Sequence, residues 1–294
     1  MSPSSFSRIC LIANPNSSRG GDRVARELRR RLRQAVTVPV SIHLTKRTGH
    51  ARDFARKLLR EDARTLLISV SGDGGYHEVI NGAMASGVKK PRCAVFGAGN
   101  ANDHHQSLYE NEDEFLKRLA GGRLRSFDLI RFDIGKGNGK STVYAHSYGG
   151  VGLSAQAAHR LDQEASDPLA EIIGSLRTTA GAPAVPLRVG GRVLAYDSLL
   201  VLNVGRMAKY LRTRHRPRAS GKRLYLVSLR HRGRLLRMWQ VARAFAFGLP
   251  TRRVERVTFT TAKPTLLQLD GEVHKLTAET QVGVTRSRQA IRTL

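Results

Sequence analysis

Acidic side chains are scarce: Asp and Glu number 23 against 50 Lys and Arg, a formal net charge of +27. That excess concentrates polyanions around the chain, and nucleic acid, an anionic membrane and a nucleotide all qualify. Arg far outnumbers Lys, a bias that a GC-rich genome produces without any function, so charge alone selects none of them. Aromatics are only 6% of the chain, with no basic–aromatic interleaving of the kind that stacks on bases, so no specific nucleic-acid partner is expected. Cysteine is nearly absent. Cys10 and Cys93 lie in apolar runs, no Cys-x-x-Cys or Cys/His metal spacing occurs, and both read as buried small hydrophobes in a reducing cytosol. No apolar run approaches the roughly 18–20 residues that a membrane span needs. Met1–Ser7 is short and polar and leads into a strand, so no signal peptide is expected. The expected location is cytoplasmic, peripheral at the inner face of the membrane. A GxxxxGK[ST] loop is also missing, which excludes a P-loop enzyme.

What is present organises into two parts. The 294 residues, 40% of them hydrophobic, suffice for one large domain or two ordinary ones. In the first third, apolar runs at Arg8–Ala13, Val38–Leu44, Thr65–Val70 and Cys93–Phe96 read as strands. Helical spacing fits Asp22–Gln34, His50–Leu59, Tyr76–Met84 and a short helix ending at Tyr109. Strands separated by helices predict a parallel sheet covered on both faces. Near Asp128 the pattern changes to short β-like runs: Phe127–Ile134, Ser141–Ser147, Pro186–Val189, Arg192–Val204, Arg223–Leu229, Val254–Thr261, Thr265–Leu269 and Gln281–Thr285. Helices are expected at Ala155–Asp162 and Leu169–Arg177. The most biased stretch, Arg206–Arg223, is basic.

Three predicted strand-to-helix turns share one composition: Asn14-Pro15-Asn16-Ser17-Ser18-Arg19-Gly20-Gly21, Ser71-Gly72-Asp73-Gly74-Gly75 and Gly97-Ala98-Gly99-Asn100-Ala101-Asn102-Asp103. In a parallel sheet such turns converge at the carboxyl ends of the strands, where ligands bind. Glycine lets backbone approach a ligand, and the following helices offer free N–H groups to phosphate. The third turn only approaches the dinucleotide pattern GxGxxG and lacks its acidic partner. A carboxylate beside phosphate requires a cation, so Asp73 and Asp103 point to Mg²⁺ held partly through water. Glu78 lies one turn into its helix, where it either complements the helix dipole or reaches the nucleotide. Downstream, Leu269-Asp270-Gly271-Glu272 reads as a hairpin turn or as a loop presenting a general base.

These stretches, with Glu78-Val79, Asn81-Gly82, Leu108, Phe127-Asp128-Leu129, Gly149–Val151 and Asn203, resemble the diacylglycerol kinase catalytic-domain family, which includes the bacterial soluble lipid kinases and the sphingosine and ceramide kinases. The resemblance implies an N-terminal α/β domain of the NAD kinase/diacylglycerol kinase-like type (residues 1–128 plus 279–294) and a C-terminal β-sandwich (129–278), with the active site in the cleft. It implies transfer of the ATP γ-phosphate to a lipid hydroxyl, diacylglycerol-like or sphingoid. Glu272 would be the base, and Asp73, Asp103 and Asp128 a Mg²⁺-linked acidic network. Asn14, Ser17, Arg19, Gly72, Gly74, Glu78, Gly99 and Asn102 would hold ATP. Arg212, Arg214, Arg216 and Arg218 would face an anionic membrane, with a second basic cluster at Arg230, Arg232, Arg234 and Arg237. A homodimer is compatible with the sequence. The chain departs from the family where Gly75 replaces a phosphate-holding Thr, Asn100 stands where Thr usually follows Gly99, and His104-His105 replace Phe-Ala. The Asp ligands of a structural metal site are missing at 208–211 and 219–223, so none is expected there. The competing readings are a kinase of related fold acting on NAD, and a catalytically degenerate fold that binds anionic lipid or nucleic acid.

Overall fold

The computed structural model describes residues 5–100, 102–137, 139–152, 183–207, 211–214 and 223–294. The expected helices at 155–162 and 169–177, Arg216 and Arg218 lie outside them, as do 208–210 and 219–222. The chain divides into two compact units. One runs to Leu129 and takes back Ser287–Leu294, and the other lies between Ile130 and Arg286.

The first unit follows the order β1 (Ile9–Ala13), α1 (Gly21–Ala35), β2 (Val40–Leu44), α2 (His50–Glu61), β3 (Leu66–Ser71), α3 (Asp73–Met84), β4 (Arg92–Gly97), α4 (Asp103–Leu108), α5 (Glu112–Ala120). Its strands are parallel in the order β4-β3-β1-β2. Every residue of β1 and β3 is buried, as a sheet covered on both faces requires. Helix α1 supplies part of that cover with Ala25, Leu28 and Leu32, while its arginines ride outside. Cys10 and Cys93 are buried and free of disulfide, and burial pushes both thiols up. Helix α5 was not expected. Its start was legible: Asn111 accepts from the Glu114 amide at 2.9 Å, an Asn-x-x-Glu capping pattern.

The second unit is strand-rich and antiparallel, of β-sandwich type. It holds β5 (Arg125–Lys136, which begins in the first unit), β6 (Gly139–Ala145), β7 (Tyr148–Gly152), β8 (Val185–Val189), β9 (Arg192–Leu202), β10 (Arg206–Met207), β11 (Leu211–Arg212), β12 (Leu224–Arg230), α6 (Arg234–Phe247), β13 (Arg252–Val254), β14 (Arg256–Thr261), β15 (Thr265–Leu269), β16 (Glu272–Leu276) and β17 (Gln281–Thr293, which ends in the first unit). Alternation along β9 and β12 feeds two apolar clusters. Leu199, Val201, Leu224 and Leu226 join one, and Leu200, Leu202, Tyr225 and Val227 join the other. Ala244 and Leu249 pack into the second cluster, so α6 and the residues after it cover that face.

Three expectations change here. The run Val254–Thr261 is two strands, because β13 pairs with β12 while β14 pairs with β8 and β17. The last strand continues from the expected Thr285 to Thr293, where Arg292 lies beside Arg92 of β4. Helix α6 stands in a stretch read only as a basic cluster. Gly233 caps it without a side-chain bond, so the start signal was missing, and its apolar stripe of Leu235, Met238 and Trp239 lies on the exposed side rather than on the core.

Candidate active site

The turns after β1, β3 and β4 leave the same edge of the parallel sheet and are knit together by backbone. The Ala98 amide donates to Ser71 O at 3.0 Å, and the Arg19 amide donates to Ala98 O at 3.0 Å. The Arg19 guanidinium donates to Gly97 O at 3.0 Å. A Cβ on Gly99 would lie 2.5 Å from Gly72 Cα, so only glycine permits this approach. Asn102, in the left-handed region at φ 50°, closes its own turn: its side chain accepts from Gly99 N at 2.9 Å and donates to Gly99 O at 2.6 Å. Asn14 accepts from the Asn16 amide at 3.0 Å. The Ser17 hydroxyl oxygen is buried with no hydrogen-bond partner among the described residues.

Asp73 is a member of this assembly. Both Asp73 carboxylate oxygens accept backbone N–H groups, from Asp103 at 2.9 Å and His104 at 3.2 Å, which ties the second glycine turn to the third. Asp103 is fully buried. Asp128 is buried on β5, and it accepts from the Gln289 amide at 2.6 Å, fixing a left-handed residue in β17. Among the described residues, no three His, Cys, Asp or Glu are grouped to hold a metal ion.

Glu78 makes a contact that its place in α3 did not announce. Its carboxylate crosses to the start of α2, accepting from Gly49 N at 2.7 Å and Ala51 N at 3.1 Å, where Gly49 has no side chain to cap the helix. Glu78→Ala is therefore expected to lower stability by about 1–2 kcal/mol through loss of a cap. Denaturant melts would show it. Unchanged stability with weaker ATP binding would return Glu78 to the nucleotide.

The space beside Gly75 is occupied from the strand. A Cβ on Gly75 would lie 2.4 Å from Ser71 Oγ, so the Ser71 side chain fills the space that a larger residue 75 would need. Ser71 Oγ is held by Ser69 Oγ at 2.7 Å and donates to Gly72 O at 3.0 Å. The two histidines are core aromatics. His104 packs edge-on to Phe127 and against Tyr76, each at 5.2 Å between ring centroids. His105 lies against Phe96, Tyr109 and Phe115. Burial pushes the His105 pKa below its ordinary 6.5. A folded value below the unfolded one means that the unfolded chain takes up the proton first as pH falls. The His105 contribution is thus complete above about pH 6.5 and lost below it. Thermal melts between about pH 7.5 and 5.5 should show a shallower acid slope for His105→Phe than for the unaltered chain.

In the second unit, Asp270 and Gly271 form the tight turn between β15 and β16, at φ 53° and 101°. Asp270 points inward and is completely buried. Its carboxylate accepts from the amides of His146, Ser147 and Tyr148 at 2.9, 2.8 and 3.1 Å. Asn203 extends the network, donating to His146 O at 3.1 Å and accepting from Arg286 at 3.1 Å. Sequence reading gave Asp270 no role beyond its turn. Glu272, two residues on, is half-buried at the start of β16 and makes no side-chain hydrogen bond or ion pair among the described residues. Arg212 and Arg214 are exposed. Arg237, expected on the surface, is 3% exposed and paired with buried Asp197 at 2.7 Å.

Residues 8–132 match the family model described as the diacylglycerol kinase catalytic domain. Human sphingosine kinase 1 is 36% identical over 124 residues, 36% of this chain and 31% of that protein. Rat sphingosine kinase 1 is 28% identical over 242 residues, 76% of this chain and 59% of that one, so the chain spans less than two thirds of either relative. A crystal structure of a diacylglycerol kinase from Bacillus anthracis superposes with a TM-score of 0.71 at 17% identity, covering 99% of this chain and 98% of that one, which establishes the fold. Over residues 8–132 the chain carries a domain of the diacylglycerol kinase catalytic-domain family.

Proposed function

We propose that this protein is an ATP-dependent lipid kinase that transfers the γ-phosphate to a lipid hydroxyl, diacylglycerol-like or sphingoid. One observation carries the reading. Of the acidic residues named as catalytic, Asp73 and Asp128 hold backbone amides and Asp103 is fully buried, whereas Glu272 is partly exposed and its side chain is uncommitted. A general base needs that freedom to accept a hydroxyl proton. The glycine turns supply the other half. Backbone around Gly72, Gly74 and Gly99, the Ser17 hydroxyl and the Arg19 cation suit a triphosphate, with Asn14 and Asn102 bracing their turns.

Mg²⁺ suits the donors present only as a companion of the nucleotide. The Asp73 carboxylate already serves two amides and Asp103 is buried, so phosphate oxygens and water would complete the ion's shell. There it would neutralise charge on the transferred phosphoryl group. Exposed Arg212 and Arg214 would favour an anionic surface, where the lipid is presented.

The test is phosphate transfer from labelled ATP with Mg²⁺ to a panel of diacylglycerols, ceramides and sphingoid bases in mixed micelles. A phosphorylated lipid is expected. ATP binding without transfer to any lipid would remove the lipid acceptor. Neither transfer nor ATP binding would replace the enzyme with a degenerate fold retained for binding.

A further inference from the structure

Helix α6 is inside out. Its inward face carries Arg237, held by Asp197 at 2.7 Å and by His231 at 3.0 Å, and among the described side chains the small Ala244 is its one member of the apolar cluster beneath. Its outward face carries Leu235, 86% exposed, Met238, 47%, and Trp239, 56%. With the exposed Ala242 and Ala246 these follow the i, i+3, i+4, i+7 spacing of a single stripe. Phe247, 69% exposed, extends the apolar surface at the helix end. Water is an unfavourable neighbour for such a stripe, and the inward Asp197–Arg237 pair fixes the helix in the orientation that exposes it.

The rim of the stripe is cationic. Arg234 is exposed at its start, and the Arg243 guanidinium lies 5.1 Å from the Trp239 ring centroid. The stretch from Arg230 to Val254 contains no acidic residue. Leu249, just past the helix, donates to Arg212 O at 2.7 Å and accepts from Arg214 N at 3.2 Å, which brings two more exposed arginines to the same end. Gly248 makes this approach feasible: it sits at φ 78°, and a Cβ there would lie 2.9 Å from Arg212 O.

We propose that α6 is the membrane-docking element of this protein. It lies in the interface of an anionic bilayer, with Leu235, Met238 and Trp239 among the upper acyl chains and Arg212, Arg214, Arg234 and Arg243 at the headgroup phosphates. The charge selects the occupant. A second copy of the chain would bring the same arginines and the same +27, whereas anionic lipid brings the complement. Docking requires neither nucleotide nor turnover, so it stands or falls apart from the phosphotransfer reading.

Trp239 is the chain's one tryptophan, so its fluorescence reports this face alone. Phosphatidylcholine vesicles containing phosphatidylglycerol should shift its emission to the blue, and brominated acyl chains should quench it. Vesicles of phosphatidylcholine alone should do neither. Leu235→Glu and Met238→Glu, both at exposed positions, should fold normally by circular dichroism and lower vesicle partition at least about tenfold. No spectral change with anionic vesicles overturns the inference. A blue shift that grows with protein concentration alone, with a doubled mass by light scattering, gives the face to a second copy and overturns it equally. Transfer to a micellar lipid without vesicle binding would sink the docking helix and leave the kinase. Vesicle binding without transfer would do the reverse.

Discussion

Glu272→Gln should lower the rate of phosphate transfer about 10²–10⁴-fold, the span that a positioned general base supplies. The substitution keeps the shape of the side chain and removes its ability to take a proton. Glu272 carries no side-chain hydrogen bond among the described residues, so stability should change by less than about 0.5 kcal/mol. ATP affinity should also hold, because the candidate phosphate-binding turns lie in the other unit. The separation is the discriminating feature. A loss of kcat at constant nucleotide affinity and constant melting temperature marks a group that acts on the reacting hydroxyl. If Glu272→Gln turned over normally, the base would have to be found elsewhere, and none of the other acidic candidates is comparably free. Asp73→Asn gives the contrast. It disturbs the two amides at the start of α4, so activity and stability should fall together.

The elements of the first unit were legible because its strands are buried on both faces and its helices on one. Continuous apolar runs such as Leu66–Val70 and the Ala25, Leu28, Leu32 stripe translate directly into that arrangement. The glycine turns were legible as well, since Gly72 and Gly99 touch backbone to backbone where no Cβ fits. The jobs of the carboxylates were not. Asp73, Glu78 and Asp270 satisfy amides 27 to 124 residues distant in sequence, and local composition holds no trace of such a partner. Charge misled in one place: Arg237 reads as a member of a surface cluster, yet its partner Asp197 lies on β9, 40 residues earlier, and draws it inward. Helix α6 escaped notice for a related reason. Amphipathic reasoning assumes that the apolar face is the buried one, and here the buried face holds the arginine.

Asp270→Ala should cost roughly 3–5 kcal/mol, a large part of the 5–15 kcal/mol typical of a folded domain. The carboxylate is the acceptor for three successive amides, those of His146, Ser147 and Tyr148, all in a buried environment. Alanine leaves those donors without an acceptor and too little room for water to replace it, and each orphaned group costs about 1–3 kcal/mol. It also places a residue with no polar side chain at φ 53°, which adds roughly 1 kcal/mol of backbone strain. Asp270→Asn separates the two effects. Asparagine tolerates the left-handed region about as well as aspartate, so its cost reports the acceptor alone. One oxygen still accepts, while the new NH₂ group meets an amide donor head-on. The expected order in urea midpoint is therefore wild type, then Asn, then Ala. Equal midpoints for the unaltered protein and the Ala variant would mean that the 146–148 segment is held by other contacts. The Asn203 bond to His146 O and the β7 pairing with β9 and β15 would be the remaining candidates. Because Glu272 follows Asp270 by only two residues, the same anchor sets where the proposed base stands. Variants that retain their fold should show a lower kcat in the same order as the midpoints.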